Sequence, residues 1–164
     1  MTERTFAPWV EPIAEQLQES RTRIVEVARS IPEQAWTRPS PNQGWSYRDL
    51  LVHLAVGDWV SQTVLRAIIT NEPLNIGEVA SLDWISQGNG ERLNERQERT
   101  VDELIAEVAA EGDETQELLA RLAEADESRT QEDAPVNLGD YLRGFPGHDR
   151  THLAELRTAL EGGT

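Results

Sequence analysis

The chain has 164 residues, with 30 acidic side chains against 15 basic ones, for a formal net charge of −15. Every cation is arginine and there is no cysteine. This excludes disulfides, thiolate nucleophiles, iron–sulfur clusters, cysteine-ligated zinc, lysine Schiff bases and the lysine-bearing phosphate loop.

Any metal must therefore be held by histidine and carboxylate. So acidic a surface repels phosphate backbones, and no nucleic-acid partner is expected. The length fits one domain, taken as residues 1–164. No apolar run approaches the roughly 20 residues of a membrane span, so no membrane partner is expected either. Met1–Arg4 lacks the apolar core of a secretion signal, which makes the expected location cytoplasmic.

Along the chain, Val10, Ile13, Leu17, Ile24, Val27 and Ile31 recur at helical steps. Glu11, Glu15, Gln18 and Arg21 fall between them as a solvent face, and Pro32 stops the run. Residues 37–44 read as a loop. Ser46 and Asp49 have capping-box spacing and start a second helix, which Leu50, Leu51, Leu54, Val64, Leu65, Ile68 and Ile69 carry to about residue 70. Unbroken, it would be roughly 36 Å long. Residues 71–90 read as a long connection with room for a short helix over 79–86.

A third helical region spans residues 91–125, taken as one helix with a weak point at Gly112. Residues 126–135 are polar and read as a loop. Asn137 caps a last segment with Leu138, Tyr141 and Leu142. Gly144 to Gly147 interrupts it, and residues 148–160 complete it. The pattern defines an all-α fold, a four-helix up-down bundle whose long second connection can carry the chain across the bundle end.

Only three histidines are present. His148 and His152, four apart, put both rings on one helix face within reach of one ion. His53 borders the apolar face of the second helix. Three neutral imidazoles from two helices make a three-coordinate pocket with a fourth position free for water or substrate. Such ligation suits zinc, nickel, iron or copper. The same spacing also fits a satisfied core histidine plus an incidental surface pair. Asp149 stands where a zincin protease has glutamate, so that activity is not expected.

Residues 39–55, PSPNQGWSYRDLLVHLA, together with 147–153, GHDRTHL, resemble the DinB-like metal-binding bundle superfamily. They are most similar to the N-terminal domain of the mycothiol-dependent maleylpyruvate isomerases. The resemblance implies a four-helix bundle, often a homodimer, with one histidine on the second helix and a His-x-x-x-His pair on the last. His53, His148 and His152 match these positions and become the expected metal ligands. It also implies chemistry on small molecules, with mycothiol or bacillithiol as thiol cosubstrate in transferases and isomerases, or hydrolysis in other members. DNA binding is not implied.

Other residues have two readings each. Asp49 either caps its helix or orients His53. Asp149 and Glu155 either support the histidine pair or belong to a general acidic surface. Asn94, Arg96 and Arg99 either hold an anionic or thiol cosubstrate or form a solvated face. Trp45, Trp59 and Trp84 either wall a pocket or pack core and loops. Tyr141 lies above the metal only if its helix continues through Gly144–Gly147.

The expected function is metal-dependent activation of a low-molecular-weight thiol or water against a small electrophilic substrate, with zinc or nickel as the divalent ion. The alternatives are a non-catalytic bundle that binds a metal or small molecule, and a structural dimerisation bundle.

Overall fold

Apolar residues at helical spacing and three side-chain caps lay down most of the helices. The protein is described by a computed structural model over residues 4–42, 44–57, 59–72, 82–130 and 137–161. Helix α1 (Glu11–Ser30) has proline in its first turn, where no amide donor is missed, and buries Ile13, Ala14, Leu17, Ile24 and Ala28. It ends at Ile31, whose extended backbone is the one favoured before a proline. After a 3-10 turn at Glu33–Ala35, Gly44 takes a left-handed φ of 86° in the turn leading to α2.

Helix α2 (Tyr47–Val56) opens with the capping box expected from the sequence. The Ser46 hydroxyl accepts the Asp49 amide at 3.1 Å, and the Asp49 carboxylate accepts the Ser46 amide at 2.9 Å. Asp49 is thus a cap. The single helix expected to residue 70 is instead two, because α2 closes at Gly57 and α3 runs Trp59–Thr70.

The 71–90 connection and the long 91–125 helix are corrected together. Helix α4 covers Leu82–Glu95 and helix α5 covers Val101–Leu119. The expected 79–86 helix thus falls within α4 from residue 82, and its first residues lie outside the described ones. The break before α5 is built rather than weak. Thr100 and Glu103 form a second capping box, and Arg48 donates to the carbonyls of Arg96, Gln97 and Arg99 at 2.7–2.9 Å, satisfying the turn. Gly112 lies inside α5 without breaking it. Its missing side chain leaves room for the stem of Arg21, whose Cγ would meet a Cβ there at 3.3 Å.

Asn137 caps α6 (Leu138–Arg143) by accepting the Asp140 amide at 2.9 Å. Helix α7 (Phe145–Glu161) follows after Gly144, so the expected Gly144–Gly147 interruption shrinks to Gly144, and Phe145 to Gly147 are already helical. The 126–135 loop is described only to residue 130.

These helices form four columns, namely α1, α2 with α3, α5, and α6 with α7, and α1 packs on both α7 and α5. Contacts give their directions. The start of α1 meets the end of α5 through Gln116 and the Ala14 carbonyl, so these two run opposite ways. Arg48 reaches the residues just before α5 while Gln62 reaches Glu111 and Thr115, so α2–α3 and α5 run together. A long connection between two parallel columns is what the 71–90 region has to supply. Among the described residues there is no strand, and no helix is long and apolar enough to cross a membrane.

The core has two lobes. Ile24, Leu50, Leu51, Leu54, Leu104, Val108 and Leu156 belong to one, while Leu17, Val64, Leu65, Leu119 and Leu142 belong to the other. Each such side chain contributes roughly 1.5–3 kcal/mol by leaving water. Between the lobes every column places polar residues in the interior: Ser20 and Arg21 on α1, Ser61 and Gln62 on α3, Thr115 and Gln116 on α5, and Asp149 with His152 on α7. This polar belt positions the site.

Candidate metal centre

His53 lies in the last turn of α2, where the chain has already been turned inward by the capped start of that helix. His148 and His152 occupy successive turns of α7. The three rings converge. The Nε2 of His148 lies 3.2 Å from that of His53 and 3.1 Å from that of His152. One donor nitrogen from each ring falls within 4.8 Å of the others. Ring planes meet at 61–82°, with centroids 4.4–5.3 Å apart, so the nitrogens face a common point instead of stacking.

Exposure is graded. His152 is buried at 8% and His53 half-buried, while the His148 side chain is 41% exposed. Gly57 keeps one side clear. A Cβ there would lie 3.0 Å from the His53 carbonyl and 3.7 Å from the His148 ring. Trp45 covers His53, with ring centroids 4.9 Å apart.

The far nitrogens differ in their partners. Nδ1 of His152 donates to a Glu155 carboxylate oxygen at 2.7 Å, which leaves its Nε2 as a bare lone pair. Nδ1 of His148 is 3.6 Å from Asp149, too long for a hydrogen bond but close enough for attraction. Nδ1 of His53 is buried without a hydrogen-bond partner.

Burial, then the neighbouring His152 and His148 and the Arg21 cation, lower the His53 pKa to about 3. Burial also lowers that of His152, against the opposing pull of Glu155. Both rings are therefore neutral at pH 7, the form that ligates.

This donor set fits a divalent ion. Metal–nitrogen bonds of about 2.0–2.1 Å at tetrahedral angles put ligand nitrogens about 3.3–3.4 Å apart, close to the two short separations here. Without an ion, ring nitrogens crowd at 3.1–3.2 Å and the buried Nδ1 of His53 has no hydrogen-bond partner. A shared cation would give the crowded nitrogens a common partner.

The remaining expected residues separate cleanly. Glu155 reaches the cluster through His152. Asp149 is buried and paired with Arg21, Nε to Oδ2 at 2.8 Å and Nη2 to Oδ1 at 3.2 Å. Burial works against its charge, but the Arg21 guanidinium and then His148 hold its pKa below the ordinary aspartate value. Arg96 and Arg99 both bind Glu107, and Asn94 accepts from Gln97, so all three stitch the α4–α5 turn instead of holding a cosubstrate.

Of the tryptophans, Trp45 lines the centre. Trp59 instead packs under the Arg92 guanidinium at 3.8 Å, against Gly88. The Trp84 side chain lies outside the described residues. Tyr141 packs edge-on against Phe145 in the other lobe, where burial raises its pKa to about 12, so it does not stand over the histidines.

Arg21 is the residue that sequence reasoning misplaced. Read as solvent-facing, it is 5% exposed. The signal was available: Arg21 is four residues after Leu17 and three before Ile24, on the apolar stripe itself.

Four helical columns whose facing helices bring three histidines to one point form a helical bundle with a cluster that could hold a divalent metal. A family model described as the DinB superfamily matches residues 16–156, which include all three histidines, and the chain belongs to that superfamily. No curated protein and no solved structure gives a match.

Proposed function

We propose that the chain is a single-domain, metal-dependent enzyme in which His53, His148 and His152 hold one zinc or nickel ion. The observation that carries this is the convergence of three imidazoles from two columns, with one ring open to solvent. When bound, the ion supplies Lewis acidity that lowers the pKa of a thiol or water taken as a further ligand. The chain's own residues do the rest. Glu155 fixes the proton of His152 on Nδ1 and so orients its ring. Trp45 walls the His53 side, and Gly57 leaves space beside His148 for a small substrate. The electrophile is a small molecule, and the nucleophile a low-molecular-weight thiol of the mycothiol or bacillithiol type, or water, giving S-transfer, isomerisation or hydrolysis. We place this activity in the cytoplasm, in a homodimer.

One observation favours a second reading, a bundle that binds a metal or small molecule without turnover. Among the described residues, the two carboxylates against the histidine rings are both engaged, Asp149 by Arg21 and Glu155 by His152, so neither is free as a general base. A thiol-transfer and esterase panel on zinc- and nickel-loaded protein decides between them. Turnover that disappears in His148→Ala/His152→Ala supports the enzyme, and stoichiometric metal with no turnover on any substrate supports the binding protein.

A further inference from the structure

Arg21 links all four columns at the level of the histidines. It leaves α1 and lays its stem in the gap opened by Gly112 on α5. Its Nη1 donates to the Leu54 carbonyl of α2 at 2.8 Å, and its other two nitrogens grip Asp149 of α7 at 2.8 and 3.2 Å. The two anchor points have a meaning in the chain. Leu54 is the residue after His53, and Asp149 is the residue after His148. The Leu54 carbonyl belongs to the last turn of α2, which ends at Val56 with Gly57 as its C-cap.

We propose that Arg21 is a positioning residue for the metal centre. Its guanidinium sets the separation between the α2 backbone that carries His53 and the α7 turn that carries His148. This rests on the three-histidine site proposed above and extends it to a residue outside the ligand set. The fork geometry is what the task needs. A planar guanidinium holds a carboxylate through two parallel bonds and spares a third donor for a carbonyl at a fixed distance, which an ammonium cannot do. The Asp149 carboxylate that Arg21 immobilises also lies 3.6 Å from the His148 ring, so the strut acts on ring orientation as well as on helix spacing. Stability alone does not require it, since buried ion pairs are commonly replaceable by apolar groups of similar volume at little or no cost.

That separability defines the test. Zinc affinity of the full chain is measured by competition with a chromophoric chelator, and the visible spectrum of the cobalt-loaded protein reports coordination geometry. In Arg21→Met/Asp149→Leu, which fills the same volume without charge, thermal stability should stay near that of the wild type. Zinc affinity should fall about 10- to 100-fold, the usual cost of disturbing groups behind metal ligands, and the cobalt spectrum should change. Gln116→Leu, which removes a buried amide bond to the Ala14 carbonyl, serves as control and should leave zinc affinity unchanged. Should the double variant fail to fold, Arg21→Lys keeps the charge and loses the fork, and the same fall in affinity is expected. Wild-type affinity and spectrum in whichever variant folds would overturn the proposal. A wild-type protein that binds no zinc, nickel or cobalt would instead overturn the site itself.

Discussion

At the Leu54 carbonyl, Arg21 completes a charge-compensated network: its Nη1 donates to that carbonyl and its Nη2 to Asp149 Oδ1, while Nε faces Asp149 Oδ2 at 2.8 Å as an ion pair without hydrogen-bond alignment. One residue earlier, His53 belongs to a cluster built on opposite terms. Its Nδ1 has no partner, its Nε2 faces another imidazole, and the rings around it lower its pKa together with burial. The two clusters adjoin in the same belt, the Arg21–Asp149 pair buried and the histidines graded from buried His152 to exposed His148. Burial of polar atoms is therefore not what marks a functional site here. The difference is compensation: Arg21 and Asp149 carry opposite charges that answer each other, whereas the clustered imidazoles have no counter-charge at their shared point.

The strongest way to break the comparison is to remove the compensation. Asp149→Ala leaves the Arg21 charge buried and uncompensated, and should cost about 3–5 kcal/mol of unfolding free energy in the apo protein. Denaturant titration reads this directly, and a loss below about 1 kcal/mol would mean that the pair is not formed in solution.

Next in size is the support behind the histidine cluster. Glu155→Gln keeps the size of the side chain but weakens its hold on Nδ1 of His152, and should lower zinc affinity about 10- to 100-fold with little change in apo stability. Unchanged affinity would make Glu155 a surface acid that happens to lie near.

A pH series sharpens the contrast further. Burial and the neighbouring rings lower the His53 pKa to about 3 from an ordinary 6.5, so the unfolded chain takes up its proton first. Apo stability contributed by that difference is complete above pH 6.5 and is lost progressively as pH falls toward 3. Zinc binding should weaken in the same direction, because only the neutral ring ligates. His53→Leu should flatten the stability slope between pH 6.5 and 4.5, measured by melting temperature. An identical slope in wild type and variant would refute the lowered pKa.

The smallest effect concerns the cap beneath His53. Ser46→Ala removes an acceptor for the Asp49 amide and should cost about 1 kcal/mol, again by denaturant titration. No measurable cost would show that α2 is positioned by packing alone.

What could be read from the sequence follows the range of the forces involved. The caps at Ser46 and Asn137, the stop before Pro32 and the pairing of His148 with His152 depend on neighbours within four residues, and all stand in the structure. The approach of His53 to that pair was legible only through the combined motifs, since nothing local brings α2 to α7. Arg21 was missed because charge was read as exposure, although its spacing put it on the buried stripe and only a distant Asp149 makes that tolerable. The split of the second helix was missed because a single Gly57 inside an apolar pattern is ordinarily tolerated in a helix. The α4–α5 break hinges on Arg48, some fifty residues upstream, donating to three carbonyls. Gly112 misled in the other direction. It looked like a weak point and is a space for another helix's side chain.

The central claim is that the three imidazoles share one ion. It is tested most directly by elemental analysis of the protein, purified without a histidine tag and dialysed against zinc at pH 7.5, beside its His148→Ala/His152→Ala variant. The account predicts close to one ion per wild-type chain and close to none in a variant that remains folded. Trace metal in the wild type, or equal metal in both, would contradict it.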